Sequence, residues 1–199
     1  MNKIDLAKAI TALKRGELVV YPTDTLYALG ADVYNEDAVR RIFKLKNRPF
    51  DIPLSVAVAS FDDFESIAFI NDSAKRLATS FLPGPLTIVL NKKNTISKIV
   101  TGGLGKVAIR IPENEVALEL LSKFGPLTAT SANVHDMKTP NDIKEIKRQF
   151  KEDDVAVYLD CGKLNASPST IVDITTKTPK IIREGIITKK NILDAIRHG

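Results

Sequence analysis

The sequence predicts an α/β fold, and three observations carry the prediction. Short β-branched, apolar runs such as "ELVVY" (17–21), "LTIVLN" (86–91) and "KVAIRI" (106–111) alternate along the chain with longer segments of helical period. Glycine, proline and capping residues punctuate the junctions. Apolar residues make up 44% of 199, enough for one sizeable core, and no repeat, low-complexity tract or linker divides it. A single domain spanning residues 1–199 is expected.

Taken in order, Leu6, Ile10 and Leu13 mark a first helix that Gly16 stops, and "ELVVY" follows as a strand covered on both faces. That strand runs into "YPTDTLYALG" (21–30), which sets two hydroxyls and a carboxylate where the chain must turn. Asn35 caps a helix carrying Val39, Ile42 and Phe43, and "PLSVAVAS" (53–60) is the next strand. Two helical stretches, near Asp62 to Ala68 and Ser73 to Leu82, precede the breaker "PGP" (83–85), which releases the strand "LTIVLN". After "KVAIRI", Pro112 opens a helix through Glu119 to Lys123 that Gly125 ends. "LTATSAN" (127–133) then repeats the strand-and-hydroxyl-turn arrangement. In Lys138 to Lys151, the cations Lys144, Lys147, Arg148 and Lys151 lie opposite Ile143, Ile146 and Phe150, as on a solvated helix face. "VAVYLD" (155–160), "TIVDI" (170–174) and "KIIREG" (180–185) complete the strands, and a capped helix from Thr188 closes the chain.

Several function classes are excluded at this level. No G-x-G-x-x-G follows the first strand, so the phosphate turn of a dinucleotide fold is missing. "TGGLGK" (101–106) is too tightly spaced for a P-loop and has Val107 where Ser or Thr would hold magnesium, leaving a mobile glycine loop between strands. Ser131 and Ser169 lie outside any G-x-S-x-G elbow, and His135 and His198 leave little choice of base, which argues against a nucleophilic hydrolase. The same two histidines and the single Cys161 make neither a zinc site nor a disulfide, so no structural metal is expected. The first residues lack a signal-peptide pattern and no apolar run approaches the ~20 residues needed to span a bilayer, giving the expectation of a cytoplasmic protein without a membrane partner.

What remains is a set of polar turns after buried strands, "PTDT", "TSAN" and "PST", with cations in "KLKNRP", "IRIP" and "IIREG". Loops at strand ends gather ligands in open α/β sheets, and hydroxyls mixed with arginines suit an anion rich in oxygen. The net charge of +5 is compatible with an anionic partner. Taken singly, Thr25 and Ser131 also serve as turn formers or caps, and Lys46 and Arg48 as the solvated end of a helix. Arg110 resists that treatment, since a charge at the centre of an apolar strand is costly unless partnered or facing a wet cavity.

The ordered stretches "YPTDTLYALG", "KLKNRP" with "PLSV", "LPGPLTIVL", "VAIRIP", "PLTATSAN", "STIVD" and "IIREG" resemble the YrdC/TsaC family of threonylcarbamoyl-AMP synthases, from about Leu18 to Gly185. The resemblance implies a YrdC-like twisted open mixed sheet with flanking helices around a basic concave cavity. It implies an enzyme that condenses L-threonine, bicarbonate and ATP, with Mg2+ accompanying the nucleotide, and releases pyrophosphate. The product would pass to a separate tRNA-modifying threonylcarbamoyl transferase complex, with weak tRNA binding as an additional contact. By motif position, Thr25 and Ser169 match threonine contacts and Arg110 a clamp on its carboxylate. Lys46 and Arg48 match catalytic cations facing the phosphates, Ser131, Asn133 and Thr139 match the nucleotide stretch, and Arg183 matches its far side. This chain departs from the family at Ile52, where a polar residue is common, at Ala57, where some members have histidine, at Lys106, and at Asp24, which replaces a glutamate. Its C-terminus follows soon after "IIREG", which aligns it with the single-domain form. The alternatives are a hydrogenase-maturation carbamoyltransferase domain, an RNA-binding or ribosome-assembly module, and a nucleotide-binding protein of the same fold without synthase activity.

Overall fold

The structure, a computed structural model, describes residues 3–151, 153–164 and 167–198. Helix α1 (Lys3–Lys14) leads into a hairpin of β1 (Val19–Tyr21) and β2 (Ala28–Gly30), in which Tyr21 stands opposite Ala28. The loop between them holds the "PTDT" turn. Sequence reading saw one strand here because β2 is three residues long and ends in glycine; a Cβ on Gly30 would lie 2.8 Å from the Tyr21 ring. With β7 (Thr130–Ser131) and β8 (Val157–Tyr158) the hairpin forms a mixed sheet of order β7-β2-β1-β8.

The second sheet is also mixed and open. Its members are β3 (Ser55–Ala57), β4 (Leu86–Asn91), β5 (Lys106–Arg110), β6 (Leu127–Thr128), β9 (Thr170–Asp173) and β10 (Lys180–Arg183), in the order β10-β9-β4-β5-β3-β6. The α/β class and the open mixed arrangement agree with expectation. The division into two sheets happens inside "LTATSAN", where Leu127 and Thr128 pair with β3 while Thr130 and Ser131 pair with β2. Ala129 is the corner, its N–H donating to Ser55 O at 2.8 Å. Buried Thr128 ties the sheets together: Oγ1 accepts from Ala31 N at 2.9 Å and donates to Leu29 O at 3.0 Å.

The cap expected at Asn35 is present. Asn35 caps α2 (Glu36–Lys46) and Asn71 caps α4 (Asp72–Phe81), each accepting from the N–H three residues on. Helix α3 (Asp62–Ile67) lies between them. The start predicted at Pro112 is corrected: α5 (Glu115–Phe124) begins beyond Asn114, whose side chain accepts from Ala117 N at 3.1 Å. Helix α6 (Ile143–Gln149) is shorter than the basic segment that predicted it, yet it buries Ile143 and Ile146 and leaves Lys144 and Arg148 exposed. Helix α7 (Lys189–His198) ends the described chain. Two apolar clusters anchor this frame, one packing α1 and α5 against Val19, Tyr21 and Leu127, the other joining α2 and α4 to the inner faces of β3, β4 and β5. Among the described residues no helix is long and apolar enough to cross a membrane.

Candidate active site

Where the two sheets part at Ala129 they leave a cavity of about 430 Å³. Its walls draw on Thr23 and Thr25 of the hairpin loop, Ser55 of β3, Thr87 of β4, Arg110 at the end of β5, Ser131 of β7, and Ser169 just before β9. Arg48, Thr139 and Arg183 close it. The described lining thus holds three guanidinium groups, many hydroxyls and no carboxylate.

The hairpin loop is built around Thr23, whose Oγ1 accepts from the N–H groups of Thr25 and Leu26, both at 3.2 Å, and donates to Leu26 O at 2.6 Å. The Thr25 hydroxyl lies 3.0 Å from that of Thr23 and accepts from Arg110 Nη1 at 3.0 Å. Arg110 Nη2 donates to Asp24 Oδ1 at 2.5 Å and to Gly84 O at 3.3 Å, so one edge of the fork expected to hold a substrate carboxylate is already engaged. Asp24 Oδ2 and Arg110 Nε are buried without a partner. Burial lowers the Arg110 pKa, opposed by Asp24 and then Tyr21, and burial in turn pushes the Tyr21 phenol up. The guanidinium stays charged.

Further along the same sheet, Arg183 of β10 donates through Nε to Ser169 O and through Nη2 to Ser169 Oγ, both at 3.0 Å, while Thr87 Oγ1 lies 3.1 Å from the same hydroxyl. Burial lowers the Arg183 pKa and the neighbouring Arg110 charge lowers it further. Two like charges held toward one hollow are the electrostatic mark of an anion site. Arg48 donates through Nε to Ile52 O at 3.2 Å and through Nη2 to Pro53 O at 2.9 Å, folding the "NRPFDIP" loop back so that its guanidinium reaches the cavity. The glycine loop backs this turn rather than lining the cavity. Gly102, at φ +59°, packs so close that a Cβ would meet Asp51 O at 2.5 Å.

Two expected residues are placed elsewhere. Lys46 is 1% exposed and lies behind the wall, its Nζ donating to Ser131 O and Asn133 O, both at 2.6 Å, and to Asn133 Oδ1 at 3.1 Å. Asn133 is also buried behind the lining, where its Nδ2 donates to Val134 O and Met137 O, both at 2.8 Å. The structure therefore brings Thr25, Arg48, Arg110, Ser131, Thr139, Ser169 and Arg183 to one cavity and leaves Lys46 and Asn133 beneath it. Of the departures, Ile52 and Ala57 are off the lining, and Lys106 pairs with Asp173 at 2.8 Å rather than entering the site. Sequence reading missed Thr23, Ser55 and Thr87 as wall residues. A hydroxyl in the otherwise apolar strand "LTIVLN" was the available signal for Thr87.

Burial, followed by the Arg48 charge, pushes the Lys46 ammonium down to about 7 from its ordinary 10.5. The folded state then binds fewer protons than the unfolded chain between those values, so stability is lost as pH falls through about 7 and grows as it rises. Denaturant titrations from pH 7 to 9 are expected to show stability rising by up to about 1.4 kcal/mol per pH unit, with the slope removed in Lys46→Met. An unchanged slope in that variant would mean another group sets it.

Comparison with known proteins places these features in context. The Sua5/YciO/YrdC family model, described as "Telomere recombination", matches residues 11–185. The threonylcarbamoyl-AMP synthase of Pyrococcus abyssi is 39% identical over 176 residues, which are 87% of this chain and 52% of that protein, so the chain spans about half of that relative. The threonylcarbamoyl-AMP synthase of Vibrio parahaemolyticus is 30% identical over 184 residues, covering 89% of this chain and 97% of its own. The crystal structure of P. abyssi Sua5 complexed with L-threonine matches with a TM-score of 0.94 at 36% identity, over 98% of this chain and 58% of that one.

Proposed function

This chain belongs to the Sua5/YciO/YrdC family, and we propose that it is an L-threonylcarbamoyladenylate synthase, a nucleotidyltransferase acting as one domain in the cytoplasm. Its substrates are L-threonine, bicarbonate and ATP, and its product serves a tRNA-modifying threonylcarbamoyl transferase complex, with weak tRNA contact. The observation that carries this reading is the convergence of Arg48, Arg110 and Arg183 with hydroxyls on one cavity free of carboxylates.

The chemistry explains why such a wall is needed. Threonine's amine, having given up its ammonium proton, forms an N–C bond to the carbon of bicarbonate with loss of water, or to the carbon of the carbon dioxide derived from it with loss of an amine proton; either way the product is the carbamate. A carbamate oxygen then forms a bond to the α-phosphorus of ATP as the bond to the pyrophosphate oxygen breaks. Carboxylate, carbamate and triphosphate repel one another, so the rate gain comes from holding them together with cations and oriented donors. Thr25 and Ser169 would receive the amino acid, with the free Nη1 hydrogen of Arg110 donating to its carboxylate. Arg48, Ser131, Thr139 and Arg183 would receive the nucleotide. No protein nucleophile enters the scheme.

Magnesium fits only as part of the nucleotide. No group of three His, Cys, Asp or Glu side chains among the described residues is arranged to hold a metal, and Asp24 is engaged by Arg110. Riding on the triphosphate, Mg2+ would screen its charge.

The test is pyrophosphate release by purified protein given ATP, threonine, bicarbonate and Mg2+ without tRNA. Release that disappears when threonine is omitted is the expected result. Release that requires tRNA would favour an RNA-binding module. In the described lining the only aromatic ring, Tyr27, is fully buried and offers no stacking surface for a base.

A further inference from the structure

The end of β7 and the loop that follows it carry Ser131 and Thr139 into the cavity, and two side chains set the conformation of this segment from outside the cavity. From below, Lys46 Nζ in its protonated form donates to Ser131 O, Asn133 O and Asn133 Oδ1, one hydrogen to each. The loop returns the contact, since His135 N donates to Lys46 O at 2.7 Å. From the side, Gln149 at the end of α6 accepts from Val134 N at 3.0 Å through Oε1 and donates to Lys138 O at 2.9 Å through Nε2, gripping both ends of the same turn. Inside the turn, Asn133 relays these anchors: Ser131 Oγ donates to its Oδ1 at 2.6 Å, and its Nδ2 reaches Val134 O and Met137 O. Asp136 within the turn adopts a left-handed backbone (φ 62°), a conformation that such anchors hold in place.

Resting on the synthase reading, we infer that Lys46 and Gln149 are positioning residues that hold residues 131–139 as a preformed cradle for the nucleoside portion of ATP, and that Lys46 acts through Ser131 rather than on the phosphates. A lysine on the phosphates would need a hydrogen aimed into the cavity. Here the ammonium lies outside the described lining with its donors committed. Gln149, on a different element and absent from every motif above, supports the same turn without any charge.

The two roles differ in what they do to ligands of different length. A phosphate contact is lost only by ligands that carry the outer phosphates. A disordered cradle weakens every adenine nucleotide alike. Binding of ATP, AMP and adenosine to the full chain would be measured by calorimetry for the wild type, Lys46→Met and Gln149→Leu, with threonine binding measured alongside. Lys46→Met keeps the stem and drops the ammonium; Gln149→Leu sits on a partly exposed helix end and provides the test if the first variant does not fold.

In both variants ATP, AMP and adenosine are expected to weaken by a common factor, about three- to tenfold for Gln149→Leu, as for loss of one or two hydrogen bonds, and more for Lys46→Met. Threonine binding should change less than twofold, since Thr25, Arg110 and Ser169 lie on other elements. Weakening of ATP with adenosine unaffected would overturn the inference and return Lys46 to the phosphates. Unchanged nucleotide binding in Gln149→Leu would overturn the part assigned to that residue. A wild-type protein that binds none of the three ligands would remove the synthase reading itself, and the inference with it.

Discussion

Replacing Arg110 by alanine is expected to raise the threonine concentration needed for half-maximal pyrophosphate release by roughly thirtyfold or more, as for loss of a charge-assisted hydrogen bond in a buried site. The ATP requirement should change little, because Arg48, Ser131 and Thr139 stand on other elements of the cavity. The same substitution strands Asp24, which is about as buried as Arg110 and paired with it at 2.5 Å, so a stability loss of about 3–5 kcal/mol is expected as well. The two effects separate in the double variant Asp24→Ala/Arg110→Ala. It should recover part of the lost stability, since no unpaired carboxylate remains buried, yet gain nothing in threonine use. Threonine titrations beside denaturant curves on the three proteins check both arms. An unchanged threonine requirement in the single variant would reject the assignment of Arg110 to the amino acid.

Gly185→Ala is expected to be nearly as damaging, from a position that carries no chemistry. Its Cβ would fall 2.2 Å from Pro168 O and 2.8 Å from Ser169 O, against backbone that cannot rotate away. Gly185 N also donates to Thr170 Oγ1 at 2.9 Å, which holds the "REG" turn against the "PST" segment. Relieving the clash pushes Ser169 away from Thr87 and Arg183 and opens that wall. A cost of about 1–3 kcal/mol in stability is expected, as for overpacking in a closed site, with at least a tenfold fall in turnover. A variant with wild-type melting temperature and wild-type turnover would show that the added Cβ is accommodated without moving Ser169, and would contradict the prediction.

The local grammar of this chain was legible in its sequence. "LTIVLN" is β4 to the residue, Asn35 caps its helix, and the arginine in "IRIP" marked a wet or partnered site, which the structure shows to be both. Choices made by distant partners were not legible. Nothing near Arg110 announces Asp24, which is 86 residues away in sequence, and nothing in "LTATSAN" says that its two halves join different sheets. Lys46 was misplaced for a geometric reason. Two residues apart on a helix do not share a face, and Asn47, at φ 50°, ends α2 in a left-handed turn between Lys46 and Arg48. Lys46 therefore points inward from the last helical turn while Arg48 leaves with the loop toward the cavity. The helix expected to open at Pro112 starts instead beyond Asn114, because that side chain accepts a backbone hydrogen bond at the helix start and proline's cannot.

On the proposed reading, one cavity brings three mutually repelling reactants together without RNA. Incubation of the purified chain with 13C-bicarbonate, threonine, ATP and Mg2+, followed by mass spectrometry of the small molecules, tests that most directly. The predicted result is one adduct containing the labelled carbon, threonine and AMP, formed without tRNA and lost in Arg110→Ala at limiting threonine. Label that never joins threonine to AMP, or joins them only when tRNA is supplied, would contradict it.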